Sequence, residues 1–239
     1  MTGTAESGPL LVTRAPATVC LPLQGKTGRF PVNRIYCVGR NYREHAREMG
    51  ESLREPPFFF SKPRDAICNG PEIPYPPMTN DLHHEVELVV ALASGGHNLS
   101  LETSLSAVFG YAVGVDLTRR DLQAAAKKQG RPWTTAKGFD RSAPISRIRP
   151  VADSGHPLSS AISLSVNGDL RQAGNTGDMT WSVPEIIAEL SCYFELKSGD
   201  LIFTGTPAGV AALQPGDRVY AAIDTVGELK FEITPGPPA

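Results

Sequence analysis

Cysteine is scarce in this sequence, and its positions form no metal or redox motif. The four cysteines are scattered along 239 residues without a Cys-x-x-Cys pair. This spacing excludes a zinc finger or a thioredoxin-type motif and offers no disulfide framework. We therefore expect four reduced, mostly buried thiols in a cytoplasmic protein.

The sequence also lacks long apolar segments and an excess of either charge. Apolar runs such as residues 88–93 are far too short to cross a membrane, and the first residues do not resemble a secretory signal. The 23 Lys and Arg residues nearly balance the 25 Asp and Glu residues, so no basic surface for nucleic acid is expected. We therefore predict neither a membrane nor a nucleic-acid partner.

The chain is long enough for one sizeable hydrophobic core with a small appendage. Residues 1–31 are rich in Gly, Pro, Thr and Ala and show little periodicity. This composition predicts an N-terminal arm that is partly disordered or adds an edge strand. Residues 32–235 are predicted to form the single main domain.

Most of the main domain is predicted to be β-structure. Residues 85–93 and 110–117 contain continuous apolar runs, which are typical of strands buried on both faces. Asn167-Gly168, between two short strands, is the strongest hairpin signal in the chain. Because strands do not alternate regularly with helices, the pattern favours an α+β fold with a rolled or sandwiched sheet over a Rossmann or TIM architecture.

Capping signals predict where two helices begin. Ser182 with Glu185 forms a capping box at the start of one helix. Thr118 with Asp121 is predicted to open another, which Gly130 ends. The helices are few and short, as expected in a fold dominated by strands.

Two glutamates at alternating positions of one predicted strand are the most informative feature. Glu85 and Glu87 project to the same side, because side chains alternate along a strand. A solvent-facing strand explains this pattern too, but the residues that follow are apolar on both faces, so the strand enters a core. Adjacent carboxylates there are costly without a cation. Asp116 ends the next buried strand, where it is either a helix cap or a third metal ligand. Three carboxylates without a cluster of His and Cys suit Mg²⁺ or Mn²⁺ rather than zinc.

Two further pairs of polar residues lie on predicted helices. His45 and Glu48 are spaced i, i+3 after Asn41, so that the carboxylate can orient the imidazole as a base for water. An exposed ion pair explains this spacing equally well. Arg120 and Gln123 share a helix face, and Arg is suited to binding a substrate carboxylate. The alternative is a solvated helix face, since other charged residues lie nearby.

Lys137 and residues 204–210 are weaker candidates. Lys137 lies in a Gly-containing segment from which it can reach a carboxylate or a developing oxyanion, but by itself it is more simply a surface lysine. In residues 204–210, glycine and proline allow close backbone approach to a ligand and Thr206 presents a hydroxyl, unless the segment is only a tight turn. It is not a P-loop, because the terminal Lys-Ser/Thr is absent.

Taken together, these motifs resemble the fumarylacetoacetate hydrolase superfamily. The similarity runs from about Ile35 to Ile233, in the family's order. The matching segments are Gly39–Tyr42 with His45 and Glu48, Phe59–Pro63, His84–Leu88, Gly114–Asp121, Arg131–Trp133 leading to Lys137, and Gly205–Val210. Through residues 56–60 and 119–123, the chain is similar to the acylpyruvate hydrolase branch and, within it, to the bacterial fumarylpyruvate hydrolases, which serve the gentisate route of aromatic degradation.

The resemblance implies a role for each candidate residue. Glu85, Glu87 and Asp116 would bind the metal, which is expected to be Mg²⁺, with Mn²⁺ or Ca²⁺ as alternatives. The other roles that the resemblance implies are a water-activating dyad of His45 and Glu48, a catalytic Lys137, and substrate contacts from Arg120, Gln123, Thr206 and Arg40. Four cations are candidates for holding a second substrate carboxylate: Arg40, Arg43, Lys62 and Arg119. The implied fold is a mixed β-sandwich roll with a few short helices, usually as a homodimer.

The implied reaction is hydrolysis of the C–C bond of a small 2,4-dioxo acid. For a 3-acylpyruvate such as fumarylpyruvate, the products are fumarate and pyruvate. The same scaffold supports oxaloacetate decarboxylation, tautomerisation and isomerisation of an unsaturated dioxo acid, which need no attacking water. His45 with Glu48 therefore favours hydrolysis. A non-catalytic module that binds a metal or a carboxylate is the remaining alternative; it would lack the dyad or Lys137.

Overall fold

The computed structural model describes residue 13 and residues 16–42 and 55–236. The strands are β1 Cys20–Pro22, β2 Arg29–Pro31, β3 Ile35–Gly39, β4 Phe58–Lys62, β5 Ile67–Cys68, β6 Glu72–Pro74, β7 Leu82–His83, β8 Val86–Leu92, β9 Val108–Val115, β10 Thr118–Arg119, β11 Ala143–Pro144, β12 Arg149–Pro150, β13 Ala161–Val166, β14 Asp169–Asn175, β15 Leu201–Phe203, β16 Ala212–Leu213, β17 Arg218–Ile223 and β18 Gly227–Thr234. The helices are α1 Leu101–Ser104, α2 Arg120–Gln129, α3 Thr134–Lys137, α4 Val151–Ser154 and α5 Val183–Tyr193, with short 3₁₀ turns at Arg64–Ala66, Leu105–Ala107 and Thr176–Asp178.

Two mixed sheets enclose the main core. The six-stranded sheet has the order β12-β9-β8-β15-β3-β4, and the five-stranded sheet has the order β14-β13-β17-β18-β6. Side chains of both sheets and of α5 form one apolar cluster, which includes Val90, Leu164 and Ile187. Smaller sheets are β10-β7-β16, β1-β2 and β11-β5. The architecture is the predicted mixed β-sandwich roll of the α+β class.

Strand β8 is buried along its whole length, which explains its continuous apolar sequence. Leu88 and Val90 face the core between the two sheets. Val89 and Ala91 face a second core on the other side, which β1 and neighbouring residues cover. Because side chains alternate along a strand, Glu87 projects on the same side as Val89.

Strand register brings several chain segments to one edge of the six-stranded sheet. β8 and β9 are antiparallel, with Val86 opposite Val115, so β8 begins where β9 ends. β15 is antiparallel to β8, with Phe203 opposite Val89, and it therefore also ends at this edge. β3 runs parallel to β15 and ends there too. Polar residues just beyond these strand ends are thus brought together although they lie far apart in sequence.

The turn and cap predictions have different outcomes. Asn167 and Gly168 adopt the positive φ angles of a tight hairpin turn, as predicted. Ser182 and Glu185 form the predicted capping box at the start of α5. The capping box of Thr118 and Asp121 is wrong.

The error arises because tertiary contacts engage both side chains. Thr118 lies in strand β10, and its hydroxyl donates to the Asp116 carbonyl at 3.1 Å. The Asp121 carboxylate instead accepts a hydrogen bond from Thr79 at 2.7 Å, so α2 begins at Arg120 without a side-chain cap. Gly130 ends the helix in a left-handed conformation, as predicted.

The remaining expectations concern the N-terminal segment and membranes. The N-terminal segment contributes a strand, as one of the two predicted alternatives has it: β1 lies within residues 1–31 and pairs with β2. The division between residues 31 and 32 stays a prediction. Across the described parts of the chain, no helix is both long and apolar enough to span a bilayer.

Candidate metal centre and active site

Three carboxylates meet at the sheet edge where β8 begins and β9 ends. Asp116 directly follows β9, and its backbone N–H donates to the Glu85 carbonyl at 2.8 Å. Glu85, Glu87 and Asp116 each place a carboxylate oxygen within 4.8 Å of the other two. Their side chains are deeply buried, with residue exposures of 7%, 2% and 1%. The structure thus brings together the three acids that the sequence singled out.

Three cations surround two of these acids. Lys137 Nζ lies 2.8 Å from a Glu85 oxygen and 2.6 Å from an Asp116 oxygen. Lys62 Nζ lies 2.8 Å from the other Asp116 oxygen, and Arg120 Nη2 lies 2.5 Å from the other Glu85 oxygen. We call these residues the inner cluster: Glu85, Glu87, Asp116, Lys62, Arg120 and Lys137. Three acids and three cations nearly cancel in charge.

The ion pairs outweigh the cost of burial for two members of the inner cluster. Burial by itself raises the pKa of Glu85, but Lys137 and Arg120 together hold it well below its ordinary value. Burial by itself lowers the pKa of Lys137, but Asp116 and Glu85 raise it above its ordinary value. Both side chains are therefore charged at neutral pH. Lys137, which by itself was read as a surface lysine, is 2% exposed, so that simpler interpretation is wrong.

Glu87 differs from the other two acids in its electrostatic surroundings. Its Oε2 accepts a hydrogen bond from the Gly205 backbone N–H at 2.8 Å. Among the described residues, no cationic side chain is within ion-pair distance of it. Burial, and next the negative charges of Asp116 and Glu85, raise the pKa of Glu87 well above its ordinary value. A divalent cation among the three acids would supply the missing charge, and carboxylate oxygens are the donors that hard cations prefer. The donor set therefore fits such an ion.

Helix α2 places its predicted polar pair beside the acids. Arg120 Nη1 donates to Gln123 Oε1 at 2.6 Å, so the two side chains share a face, as expected from their spacing. Because this oxygen is engaged, the amide N–H groups of Gln123 are the donors available to a ligand. Arg120 reaches both Glu85 and Gln123 and so connects the helix to the start of β8.

The segment after β15 approaches the acids through its backbone. Gly205 has φ +97°, and a Cβ at this position would meet the Asn41 Cβ at 2.7 Å. Asn41 is fully buried, and its side-chain amide donates to the carbonyls of Thr204 and Trp181 at 2.8 and 2.9 Å. The glycine thus allows the close approach that aims its N–H at Glu87. The close approach seen here is to Asn41, and the predicted approach of this segment to a ligand stays a prediction.

A cavity of about 420 Å³ opens onto the acids. The inner end is lined by Glu85, Glu87, Asp116, Lys137, Arg120, Gln123 and Thr206. The outer end is lined by Arg40, Phe58, Trp133 and Lys127, which we call the outer wall. Of the cations predicted to hold a second carboxylate, Arg40 lines this cavity. Lys62 is instead buried against Asp116, Arg119 lines a separate cavity beside Phe139, and Arg43 lies outside the described residues.

The family follows from comparison with known proteins. The family model described as fumarylacetoacetate (FAA) hydrolase C-terminal matches residues 34–234. The chain belongs to the fumarylacetoacetate hydrolase family. Two curated members are similar over most of their length: oxaloacetate tautomerase YcgM of Escherichia coli, 42% identical over 84% of this chain and 93% of the relative, and fumarylpyruvate hydrolase of a Ralstonia species, 38% identical over 79% of this chain and 98% of the relative.

A solved structure of the fumarylacetoacetate hydrolase family is also similar. It is the fumarylpyruvate hydrolase of Pseudomonas aeruginosa in complex with Mn²⁺ and pyruvate. It superposes with a TM-score of 0.93 at 48% identity and covers 95% of this chain and all of that chain. Family membership and fold are therefore established, while the relatives carry more than one activity.

Two residues of this family member that sequence reasoning missed lie next to the site. Gln172 is fully buried, and its amide donates to the Thr206 hydroxyl oxygen at 2.8 Å and to the Pro207 carbonyl at 2.9 Å. Its oxygen lies 2.8 Å from His84 Nδ1 and accepts from the Val86 N–H at 3.1 Å. No motif marked Gln172, which lies in a hairpin strand far from the acids in sequence. Lys127, the second residue, is one of several charged residues of α2, and nothing in the sequence distinguishes it from its neighbours.

The hydrogen bonds of Gln172 determine the role left to the Thr206 hydroxyl. Because the Thr206 oxygen accepts from the Gln172 amide, its proton can donate to a ligand in the cavity that Thr206 lines. Because the Gln172 oxygen is the acceptor in the contact with His84, the proton of that imidazole lies on Nδ1. Burial lowers the pKa of His84, which keeps the ring neutral. Thr206 is therefore held as a hydrogen-bond donor.

The predicted dyad of His45 and Glu48 lies outside the described residues. Its role as the water-activating pair of this family member stays a prediction. The described chain stops at Tyr42 and resumes at Glu55, whose carbonyl accepts a hydrogen bond from the Trp181 indole at 3.1 Å.

Proposed function

We propose that this protein is a divalent-metal-dependent hydrolase that cleaves a C–C bond of 3-acylpyruvates, with fumarylpyruvate as its preferred substrate. One observation carries the proposal: three buried carboxylates and Lys137 lie together at one end of the cavity. The similarity to fumarylpyruvate hydrolases of Ralstonia and Pseudomonas supports the choice of substrate. The homodimer, the cytoplasmic location and the role in aromatic degradation stay predictions.

The acidic triad of the inner cluster would hold the metal. Glu85, Glu87 and Asp116 offer only carboxylate oxygens, so Mg²⁺ is the ion we propose, with Mn²⁺ or Ca²⁺ as alternatives. When bound, such an ion polarises a carbonyl group and stabilises the negative charge of an enolate. With the ion present, the inner cluster carries a net positive charge of about two, which suits a dianionic substrate.

The residues of the chain supply the remaining groups for hydrolysis. Lys137 is held between two carboxylates and donates to the oxygen that gains charge when water adds to the C4 carbonyl. Arg120 and Thr206 donate to the 2-oxo acid end of the substrate. His45, oriented by Glu48, takes the proton from the attacking water in this proposal.

Atoms and charges balance in this scheme. Water adds to C4, the C3–C4 bond breaks, and its electron pair moves to C3 to give the enolate of pyruvate. The enolate takes up the proton that His45 removed from water and leaves as pyruvate, while the acyl group leaves as a carboxylic acid that releases one proton to become fumarate. One water is consumed for each substrate cleaved.

Release of pyruvate from fumarylpyruvate is the experiment that tests the proposed reaction. We expect rapid release with Mg²⁺ or Mn²⁺ and a loss of activity of at least about 10³-fold with EDTA, because the ion contributes several kcal/mol to the transition state. Acetylpyruvate and oxaloacetate are assayed beside it. Failure of fumarylpyruvate to release pyruvate in metal-replete buffer would overturn the proposal.

Oxaloacetate tautomerisation is the second candidate. The 42% identical relative from E. coli carries that activity in its name, and the inner cluster suits any reaction through an enolate. Tautomerisation moves a proton without an attacking water. An enzyme that interconverts the keto and enol forms of oxaloacetate faster than it releases pyruvate from any acylpyruvate would favour this candidate.

Thr206 gives a smaller prediction about substrate binding. We expect Thr206→Val to raise KM for fumarylpyruvate about tenfold with little change in kcat, because one hydrogen bond to a charged group is worth about 1.5 kcal/mol. Thr206→Ser retains the hydroxyl and serves as the control. Steady-state kinetics that show equal effects of the two substitutions would mean that the Thr206 hydroxyl does not bind the substrate.

A further inference from the structure

The outer wall of the cavity combines aromatic rings with cations. Phe58 and Trp133 pack edge to face, with ring centroids 5.4 Å apart. The Arg40 guanidinium lies 5.6 Å from the Phe58 centroid, and Lys127 Nζ lies 5.3 Å from the Trp133 centroid. Phe60 adds a third ring, 5.8 Å from Trp133. These contacts fix two positive charges against flat apolar surfaces.

Helix α2 sets the spacing between the two ends of the cavity. Arg120, Gln123 and Lys127 follow one another at i, i+3 and i+7 and all line the cavity. Arg120 contacts Glu85 in the inner cluster, whereas Lys127 belongs to the outer wall. Seven residues of α-helix correspond to roughly 10 Å. The cavity therefore has a metal-binding end and a second positive end that are separated by two helical turns.

The distribution of charge along the cavity indicates which ligand suits the outer wall. Within the described lining, the only acids are the three of the inner cluster. An extended ligand with its 2-oxo acid group at those acids would place its far end between Arg40 and Lys127. A carboxylate there meets positive charge, and a flat conjugated chain between the two ends packs against Phe58, Phe60 and Trp133.

We propose that Lys127, positioned over Trp133, binds a second carboxylate of the substrate and makes the site selective for acylpyruvates whose acyl group ends in a carboxylate. This inference rests on the proposed function in one respect, since it places the 2-oxo acid end of the substrate at the inner cluster. It assigns the acyl preference to the outer wall. Arg40, which lies against Phe58 in the same wall, supports the same carboxylate.

Matched substrates test the selectivity. Lys127→Met is expected to lower kcat/KM for fumarylpyruvate about tenfold or more, mainly through KM, because a charge-assisted contact is lost. Turnover of acetylpyruvate, which has no second carboxylate, is expected to stay within about twofold of wild type. Lys127→Arg keeps the charge and should retain the preference. The adjacent exposed Lys128→Met makes the same charge change outside the cavity and is the control.

A binding measurement separates this inference from the proposed reaction. The seven-carbon 2-oxoheptanedioate lacks the C4 oxo group and cannot be cleaved in this way, and 2-oxoheptanoate is its match without the second carboxylate. We expect calorimetry with the Mn²⁺-loaded protein to show tighter binding of the diacid, by about tenfold, and loss of that preference in Lys127→Met.

The outcomes of the two experiments are distinct. A diacid preference that depends on Lys127, in a protein that does not release pyruvate, supports the carboxylate site and overturns the proposed hydrolysis. Hydrolysis of fumarylpyruvate with no selective effect of Lys127→Met on either substrate or ligand overturns the carboxylate site. Equal losses for diacid and monoacid would also overturn it, because a purely structural role affects both.

Discussion

Replacing Glu87 with glutamine is expected to lower metal-dependent kcat/KM by at least about 10³-fold, because a bound metal contributes several kcal/mol to the transition state. Glu87 has no cationic partner among the described residues, so its charge is the one that the metal would neutralise. The substitution keeps the size of the side chain and an oxygen for the Gly205 N–H. Calorimetric titration with Mn²⁺ should show weaker binding in parallel.

Stability provides the control for this substitution. The pKa of Glu87 is raised in the folded protein, so ionisation of this side chain opposes folding above its unfolded pKa, and that cost grows as pH rises. The metal-free Glu87→Gln protein should therefore melt at a higher temperature than metal-free wild type at neutral pH. The exposed Glu72→Gln on β6 should change neither property. Full activity in Glu87→Gln would exclude Glu87 as a metal ligand.

Lys137→Met is expected to separate catalysis from metal binding. Loss of the ammonium should lower kcat by about 10²–10³-fold, the magnitude seen when one donor to a developing oxyanion is removed. Two buried carboxylates, Glu85 and Asp116, lose a partner that lies within 2.8 Å of each. The metal-free variant should therefore be less stable by about 3 kcal/mol. Added Mn²⁺ should raise its melting temperature more than that of wild type.

Lys62→Met is the matched comparison for Lys137→Met. Lys62 is equally buried and contacts Asp116, but it is absent from the cavity lining. We expect a similar loss of stability with a much smaller loss of turnover, measured by thermal melts and by initial rates. Turnover in Lys137→Met within about tenfold of wild type would contradict the role of Lys137 as an oxyanion donor.

The fold was predictable where local sequence and tertiary structure agree. β8 is apolar on both faces because it lies between two cores, and the Asn167-Gly168 turn follows from backbone preferences that act over two residues. The cap of α2 was not predictable. Thr118 and Asp121 have the right spacing, but strand pairing with β7 and a hydrogen bond from Thr79 engage them instead.

The candidate site likewise contains residues that the sequence predicts and residues that it does not. The three acids were predictable because each lies at the end of a strand that enters the core, where an uncompensated carboxylate is costly. Gln172 and Lys127 were not, because a sequence pattern gives the direction of a side chain relative to its own element and not to a cavity. Only the packing of α2 beside β7, β10 and α3 shows that Lys127 lines the cavity.

Different secondary-structure elements form the two ends of the cavity. The acids of the inner cluster lie in or next to β8 and β9, two deeply buried strands of the six-stranded sheet. Most of the outer wall comes from the edge strand β4, the last turns of α2 and the residues between α2 and α3, while Arg40 follows β3. Substitutions of outer-wall side chains, which are more exposed than the three acids, are expected to cost less stability than substitutions of those acids. Replacement of an outer-wall side chain is therefore expected to change which acyl groups bind while the arrangement of the three acids is retained, so that the two ends of the cavity can be engineered independently.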